Sequence, residues 1–113
     1  MKSKILALSK SEEFKNLLKQ NKISNKYVTI FFGKLANKDE RKLNISFVTK
    51  KKIGNAVKRN KIKRRLRNIV NDAVKNINIR FDYSYLVIAK PTMLNKEYTI
   101  IKETLFKDLE RIK

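Results

Sequence analysis

The 113-residue chain carries 29 Lys and Arg residues against 10 Asp and Glu, a formal net charge of +19 at pH 7. A fold of this size and charge repels itself unless a polyanion neutralises it, so an acidic partner is expected. The chain contains no Cys and no His, which excludes disulfides, a thiol nucleophile, His metal ligands and a Ser-His-Asp triad. Its length and a hydrophobic share of 42% fit one folded domain over 1–113.

The hydropathy pattern gives no sign of a membrane segment. The longest apolar run, at 85–89, is far shorter than the ~20 residues that a membrane span needs. Residues 1–8 are too weakly apolar for a secretory signal. We therefore expect no membrane partner and predict a cytoplasmic protein.

The pattern of the N-terminal half predicts a helix followed by strands. Ser9 and Glu12 fit a capping box that opens the helix. The helix carries an apolar stripe formed by Phe14, Leu17 and Leu18. Residues 27–32 are β-branched and aromatic, and residues 43–48 alternate apolar with polar, so each run predicts a strand. We expect these two strands to pair antiparallel, with a short edge strand at 21–25.

The C-terminal half predicts two helices separated by a strand at 82–89. Gly54 and Asn55 end the preceding strand and cap a long helix with a buried face at i, i+4 and i+7 spacing. That face comprises Ile62, Leu66, Ile69, Val70, Ala73, Val74 and Ile77. A last helix, capped by Asn95, buries Tyr98, Ile101, Leu105, Leu109 and Ile112. The order α-β-β-β-α-β-α predicts an α+β fold with helices packed on a small mixed sheet.

Residues 50–67 hold ten cations in eighteen positions and no carboxylate. On a helical projection, a polar arc lies beside the buried stripe and comprises Asn60, Lys63, Arg64 and Arg67. Because no carboxylate partners stand at i+4, these cations are best neutralised by phosphate, which predicts nucleic-acid binding. A solvated basic surface is the alternative. DNA is not expected as the partner, because a recognition helix would have to be free of so strong a buried stripe.

The carboxylates form no pattern that suggests a nuclease. Asp39 and Glu40 lie in a predicted turn, Asp72 lies on the long helix, and Asp82 opens a strand. Metal-assisted phosphodiester cleavage needs clustered carboxylates or His. The sequence therefore predicts neither a catalytic residue nor a metal site in this chain.

The basic stretch contains a specific motif, GNAVKRNKIKRRLR at 54–67. Its fixed Gly, Asn and Arg positions resemble the signature of the bacterial ribonuclease P protein family. The flanking segments VTKKKI at 48–53 and DYSYLVIAKP at 82–91 are similar to the same family. Length, charge and element order agree with that family over nearly the whole chain.

The resemblance implies a fold like domain 2 of ribosomal protein S5. It also implies the protein subunit of ribonuclease P, an endoribonuclease that removes the 5′ leader of precursor tRNA. In this family the RNA subunit is the catalyst and holds Mg²⁺, so the protein alone is expected to bind no cofactor. The resemblance implies that the protein binds the leader and the RNA subunit, and thereby favours magnesium and substrate binding. A ribosomal protein or RNA-assembly factor of similar fold, without turnover, is the alternative.

The resemblance also implies two sets of binding residues. The set implied to contact the RNA subunit comprises Lys51, Lys52, Asn55, Arg59, Asn60, Lys61, Lys63, Arg64 and Arg67. The set implied to line a cleft for the 5′ leader comprises Phe14, Leu18 and Phe31. Lys61 stands where the family usually has Arg, and Leu18 where it often has an aromatic residue. Each aromatic in a domain of this size is also a candidate for the core.

Overall fold

A single five-stranded mixed sheet organises the chain in the computed structural model, which describes residues 5–8, 11–36 and 41–112. The strands are β1 (Ile5–Leu6), β2 (Asn21–Ser24), β3 (Val28–Gly33), β4 (Leu43–Val48) and β5 (Ser84–Ala89). The helices are α1 (Ser11–Leu18), α2 (Ala56–Asn76) and α3 (Tyr98–Arg111). Two 3₁₀ turns, Lys51–Ile53 and Pro91–Asn95, precede α2 and α3. The predicted α+β class is confirmed.

The strand order β1-β4-β5-β3-β2 corrects one expectation. The antiparallel pairing expected between β3 and β4 is wrong, because β5 lies between them, antiparallel to β3 and parallel to β4. The central place suits β5, whose apolar run is covered by neighbours on both faces of the sheet. The α2 crossover returns the chain so that β5 runs parallel to β4. The expected edge strand is confirmed as β2, paired with β3.

The two-residue strand β1 was not predicted, and it pairs parallel with the start of β4. So short a segment has no periodicity of its own from which a strand could be predicted. The start of α3 also differs from expectation, because Glu97 rather than Asn95 occupies the N-cap position. Pro91 opens a 3₁₀ turn that includes Asn95, so the helix begins later. The capping residue Ser9 and the acidic pair at 39–40 lie outside the described residues.

The two faces of the sheet are covered unequally. The long helix α2 and α3 cover one face and enclose the main core, in which the stripe predicted for α2 is buried or half-buried. The opposite face carries the eight-residue helix α1 over a smaller cluster around Leu8, Leu17 and Leu86. Phe14 and Phe31 are half-buried against that smaller cluster. A short helix on a five-stranded sheet leaves part of this face accessible.

The third helix is attached to the sheet and to α2 by polar contacts. The carboxylate of Asp108, a buried residue, accepts a hydrogen bond from Asn25 Nδ2 at 2.6 Å. The Oδ1 atom of Asn25 accepts from the backbone N–H of Tyr27 and of Val28, which fixes the turn between β2 and β3. Lys102 Nζ lies 2.9 Å from Asp72 Oδ2 and joins α3 to α2. These contacts hold α3 in place against the β2–β3 turn and α2.

The backbone conformation at Gly54 makes the start of α2 sensitive to substitution. Its φ of 146° and ψ of −161° fall in a region that is essentially restricted to glycine. We expect Gly54→Ala to lower the free energy of unfolding by about 1–3 kcal/mol. Urea denaturation followed by circular dichroism measures the change.

The side chain of Lys58 provides a control for that substitution. A Cβ atom at Gly54 would approach Lys58 Cδ to 2.8 Å, which a flexible side chain can relieve. Combining Gly54→Ala with Lys58→Ala should therefore leave most of the stability loss, because the strain lies in the backbone. Full recovery in the double variant would contradict this explanation and assign the loss to the side-chain contact.

Candidate nucleic-acid interface

The N-terminus of α2 is built as the sequence predicts. The side chain of Asn55 caps the helix, because its Oδ1 accepts a hydrogen bond from Lys58 N at 3.0 Å. Ile53 is buried and anchors the preceding 3₁₀ turn, whose Lys51 and Lys52 are exposed. Two cations are therefore presented to solvent directly beside the start of the basic helix.

Five of the cations of α2 form two groups on different sides of the helix. Arg59, Lys63 and Arg67 follow one another at intervals of four residues, so they form a row along one side. We call these three residues the cleft row. Lys61 and Arg64 are exposed on the side turned away from the sheet, together with Val57. We call these three residues the outer face; Asn60 lies between the two sides.

Two members of the cleft row, Lys63 and Arg67, line an open cavity of about 440 Å³ at the edge of the sheet. The cavity lies between the N-terminal segment, α1, β4 and α2, and is lined by Ile5, Ala7, Phe14, Ile45, Ser46, Phe47, Val48, Lys63 and Arg67. It exists because β1 pairs only with Leu43 and Asn44, which leaves the rest of that edge of β4 without a neighbouring strand among the described residues. The backbone N–H of Leu8 donates to Ser46 Oγ at 2.8 Å and holds the N-terminal segment beside it.

Aromatic rings and cations share this cleft. Phe14 from α1 and Phe47 from β4 line it together with Lys63 and Arg67 from α2. Of the aromatic residues assigned to a cleft from the sequence, Phe14 is placed there, whereas Phe31 packs in the cluster beneath α1. Leu18 lies at the end of α1, is 48% exposed and is not among the lining residues.

Sequence reasoning missed Ser46, Phe47 and Val48 as cleft residues. Alternation on β4 turns Phe47 toward the main core and Val48 toward the other face, which is the pattern of an ordinary buried strand. Phe47 and Val48 stay half-buried, and together with the buried Ser46 they line the cavity because β4 has an open edge. Pairing at that edge is a non-local property, so no signal within 43–48 reveals it.

The described aspartates pair with cations away from the basic half of α2. Ion pairs join Lys34 and Arg80 to Asp82, Lys102 to Asp72 and Arg111 to Asp108. The hydrogen bond from Arg80 lowers the pKa of Asp82, and the one to Asp72 raises the pKa of Lys102. Across the described ranges, no cation of 50–67 pairs with a carboxylate. The positive charge of the cleft and of the outer face is therefore uncompensated within this part of the protein.

Neither a cluster of metal ligands nor a membrane-spanning helix occurs among the same residues. In 5–8, 11–36 and 41–112, no three residues of the types His, Cys, Asp and Glu lie together as a metal ion would require. No helix within those ranges combines the length and apolarity needed to cross a membrane.

A mixed sheet with one long basic helix beside an aromatic cleft defines a small α+β protein suited to bind a nucleic-acid strand. The sequence profile of the family described as Ribonuclease P matches residues 3–113. The chain belongs to the ribonuclease P protein family, as its signature at 54–67 predicted. This membership implies a role in bacterial tRNA processing, as a component of an endoribonuclease that also contains an RNA. The alternative of a ribosomal protein or assembly factor is not favoured.

Curated relatives and solved structures agree with this assignment. The ribonuclease P protein component of Carboxydothermus hydrogenoformans is 35% identical over 102 residues, covering 87% of this chain and 83% of the relative. That of Bacillus pumilus is 32% identical over 99 residues, covering 87% and 80%. The fold is similar to that of the Thermotoga maritima RNase P protein, with a TM-score of 0.80 at 23% identity, over 96% of this chain and 98% of the other. The Staphylococcus aureus protein gives a TM-score of 0.77 at 24% identity, over 94% and 93%.

Proposed function

We propose that the cleft binds the 5′ leader of precursor tRNA while the outer face of α2 contacts the RNA subunit. The observation that carries this proposal is the shared cleft of Phe14, Phe47, Lys63 and Arg67 at an open sheet edge. Aromatic rings stack unpaired bases, and cations neutralise the phosphates that link them. A cleft with both groups suits a single strand better than a duplex, whose bases are already stacked.

The cleft row has a spacing that suits a backbone of phosphates. Its members are one helical turn apart, about 6 Å along the axis, which is comparable with the separation of successive phosphates in an extended strand. Lys63 and Arg67 were expected against the RNA subunit, and we now assign them to the leader. Arg59 is half-buried, and its Nε atom has no hydrogen-bond partner among the described residues. A phosphate bound near the start of α2 would supply a partner for this guanidinium.

The outer face and the 3₁₀ turn are assigned to the RNA subunit. Lys51, Lys52, Lys61 and Arg64 are exposed there and have no carboxylate partner within the described residues. Double-stranded RNA is recognised mainly through its phosphates and 2′-hydroxyls, which suits a convex helix carrying cations. One helix would then hold the leader on one side and the RNA subunit on the other.

Within this proposal the chemistry belongs to the RNA and its Mg²⁺ ions. The described aspartates support this division of labour, because Asp72, Asp82 and Asp108 already pair with cations of the protein. The protein contributes positive charge, which brings two polyanions together and so favours the binding of substrate and magnesium. It also contributes a fixed position for the leader relative to the RNA subunit.

The test is a reconstituted cleavage assay with purified protein, a bacterial ribonuclease P RNA, 5′-labelled precursor tRNA and low magnesium. We expect the mixture to release the leader under conditions in which neither the protein nor the RNA does so alone. Mature tRNA serves as the binding control, because it lacks the leader. Tight binding to the RNA without any stimulation of cleavage would contradict the proposal.

A further inference from the structure

Val57 is an apolar side chain in an unusual place. It lies in the first turn of α2 with 76% of its surface exposed, the largest value for a large hydrophobic residue among the described residues. The next most exposed, Leu18, reaches 48%. No contact within the described part of the protein accounts for so exposed an apolar group at this position.

Helix stability does not explain Val57 either. A β-branched residue at an exposed helical position is a weaker helix former than Ala, because its χ1 rotamers are restricted. Burial, which would offset that weakness, is largely absent. The side chain is therefore neutral or slightly unfavourable for the isolated protein.

The surroundings of Val57 indicate what covers it. Lys61 follows one turn later and Arg64 two turns later on the same side of α2, and both are exposed. An apolar protein surface would need a rim of carboxylates to approach this site. RNA supplies both the negative charge and the apolar surface in one molecule, since phosphates flank the apolar faces of riboses and bases.

We propose that Val57 is an apolar contact of the RNA subunit, packed on a ribose or base face between phosphates held by Lys61 and Arg64. This inference rests on the proposed function, which assigns the outer face of α2 to that RNA. The contact orients the helix on the RNA, since cations alone tolerate many positions along a polyanion. It adds affinity without releasing counterions, because no phosphate is neutralised by a valine.

Val57→Ala tests this inference by separating affinity from salt dependence. At fixed salt we expect the substitution to weaken binding to ribonuclease P RNA about threefold to tenfold, from the apolar groups removed. The slope of log K against log salt should remain that of the parent. The thermal midpoint should be equal or higher, because Ala favours the helix.

Two further variants complete the experiment. Ile100→Ala removes an apolar side chain that is 38% exposed on α3, outside the basic segment 50–67, and should leave RNA binding unchanged. Arg64→Ala should weaken binding and lower the salt slope by about one unit.

The outcomes distinguish the two proposals. If the parent neither binds the RNA nor stimulates cleavage, the proposed function fails and the inference fails with it. If the parent binds, Arg64→Ala weakens binding and Val57→Ala matches the parent, the inference alone is wrong. A lower salt slope for Val57→Ala would also overturn it, because the side chain would then act by positioning cations.

Discussion

Arg67→Ala is expected to weaken binding of a leader-bearing precursor tRNA about tenfold or more, with little change for mature tRNA. Arg67 lines the cleft and has no carboxylate partner among the described residues, so its guanidinium is available to a phosphate of the leader. A charge-assisted hydrogen bond of this kind is worth about 1.5–3 kcal/mol, and each 1.4 kcal/mol corresponds to a factor of ten. Equilibrium binding of both tRNAs to the reconstituted holoenzyme measures the difference.

Arg64→Ala provides the matched control, because Arg64 lies on the same helix, is also exposed and is not among the residues that line the cleft. It should weaken assembly with the RNA subunit and reduce precursor and mature tRNA binding alike. For each variant, the slope of log K against log salt for the weakened complex should fall by about one unit per lost phosphate contact. If the two variants behave identically, the division of α2 into a cleft row and an outer face is wrong.

Phe14→Ala is expected to lower affinity for the leader-bearing precursor by about tenfold or more, again with mature tRNA spared. The ring of Phe14 lines the cleft opposite α2, and loss of base stacking on an aromatic ring costs about 1–3 kcal/mol per base. Shortening the leader of the precursor one nucleotide at a time should abolish the effect once the stacked base is removed. Fluorescence titration with labelled precursors of defined leader length measures this directly.

Phe106 and Phe31 provide the controls for the loss of an aromatic ring. Phe106 is half-buried on α3, where Lys102 Nζ lies 5.5 Å from its ring centroid, so Phe106→Ala removes comparable packing outside the cleft. Phe31→Ala disturbs the cluster beneath α1 and should lower stability more than it lowers leader affinity. If Phe14→Ala reduces precursor and mature tRNA binding equally, or only destabilises the fold, Phe14 belongs to that cluster rather than to a leader site.

The helices were predicted more accurately than the sheet. The face of α2 from Ile62 to Ala73, its cap at Asn55 and the burial of Ile101 and Leu105 on α3 follow from local spacing and are confirmed. The pairing of β3 with β4 was wrong, because strand order depends on where β5 inserts after a 21-residue helix. Alternation identifies a strand but does not specify its neighbours.

The candidate site, like the fold, could be predicted only in part from the sequence. The density of cations at 50–67 and the family signature are visible in the sequence, and Phe14 was assigned to a cleft from the resemblance. Phe47 looked like a core residue, and the side of α2 on which Lys63 and Arg67 face a cavity could not be assigned. The missing information was the short length of β1, which leaves part of β4 open.

The sequence by itself determined that this protein is a basic α+β domain with a capped helix rich in cations, because charge, capping and helical periodicity are local properties. Only the tertiary structure decided which cations of that helix line the same cavity as aromatic rings. The cavity depends on the open edge of β4 and on α1, which lies on the face of the sheet opposite α2 and α3. Both features arise from contacts between residues far apart in the chain.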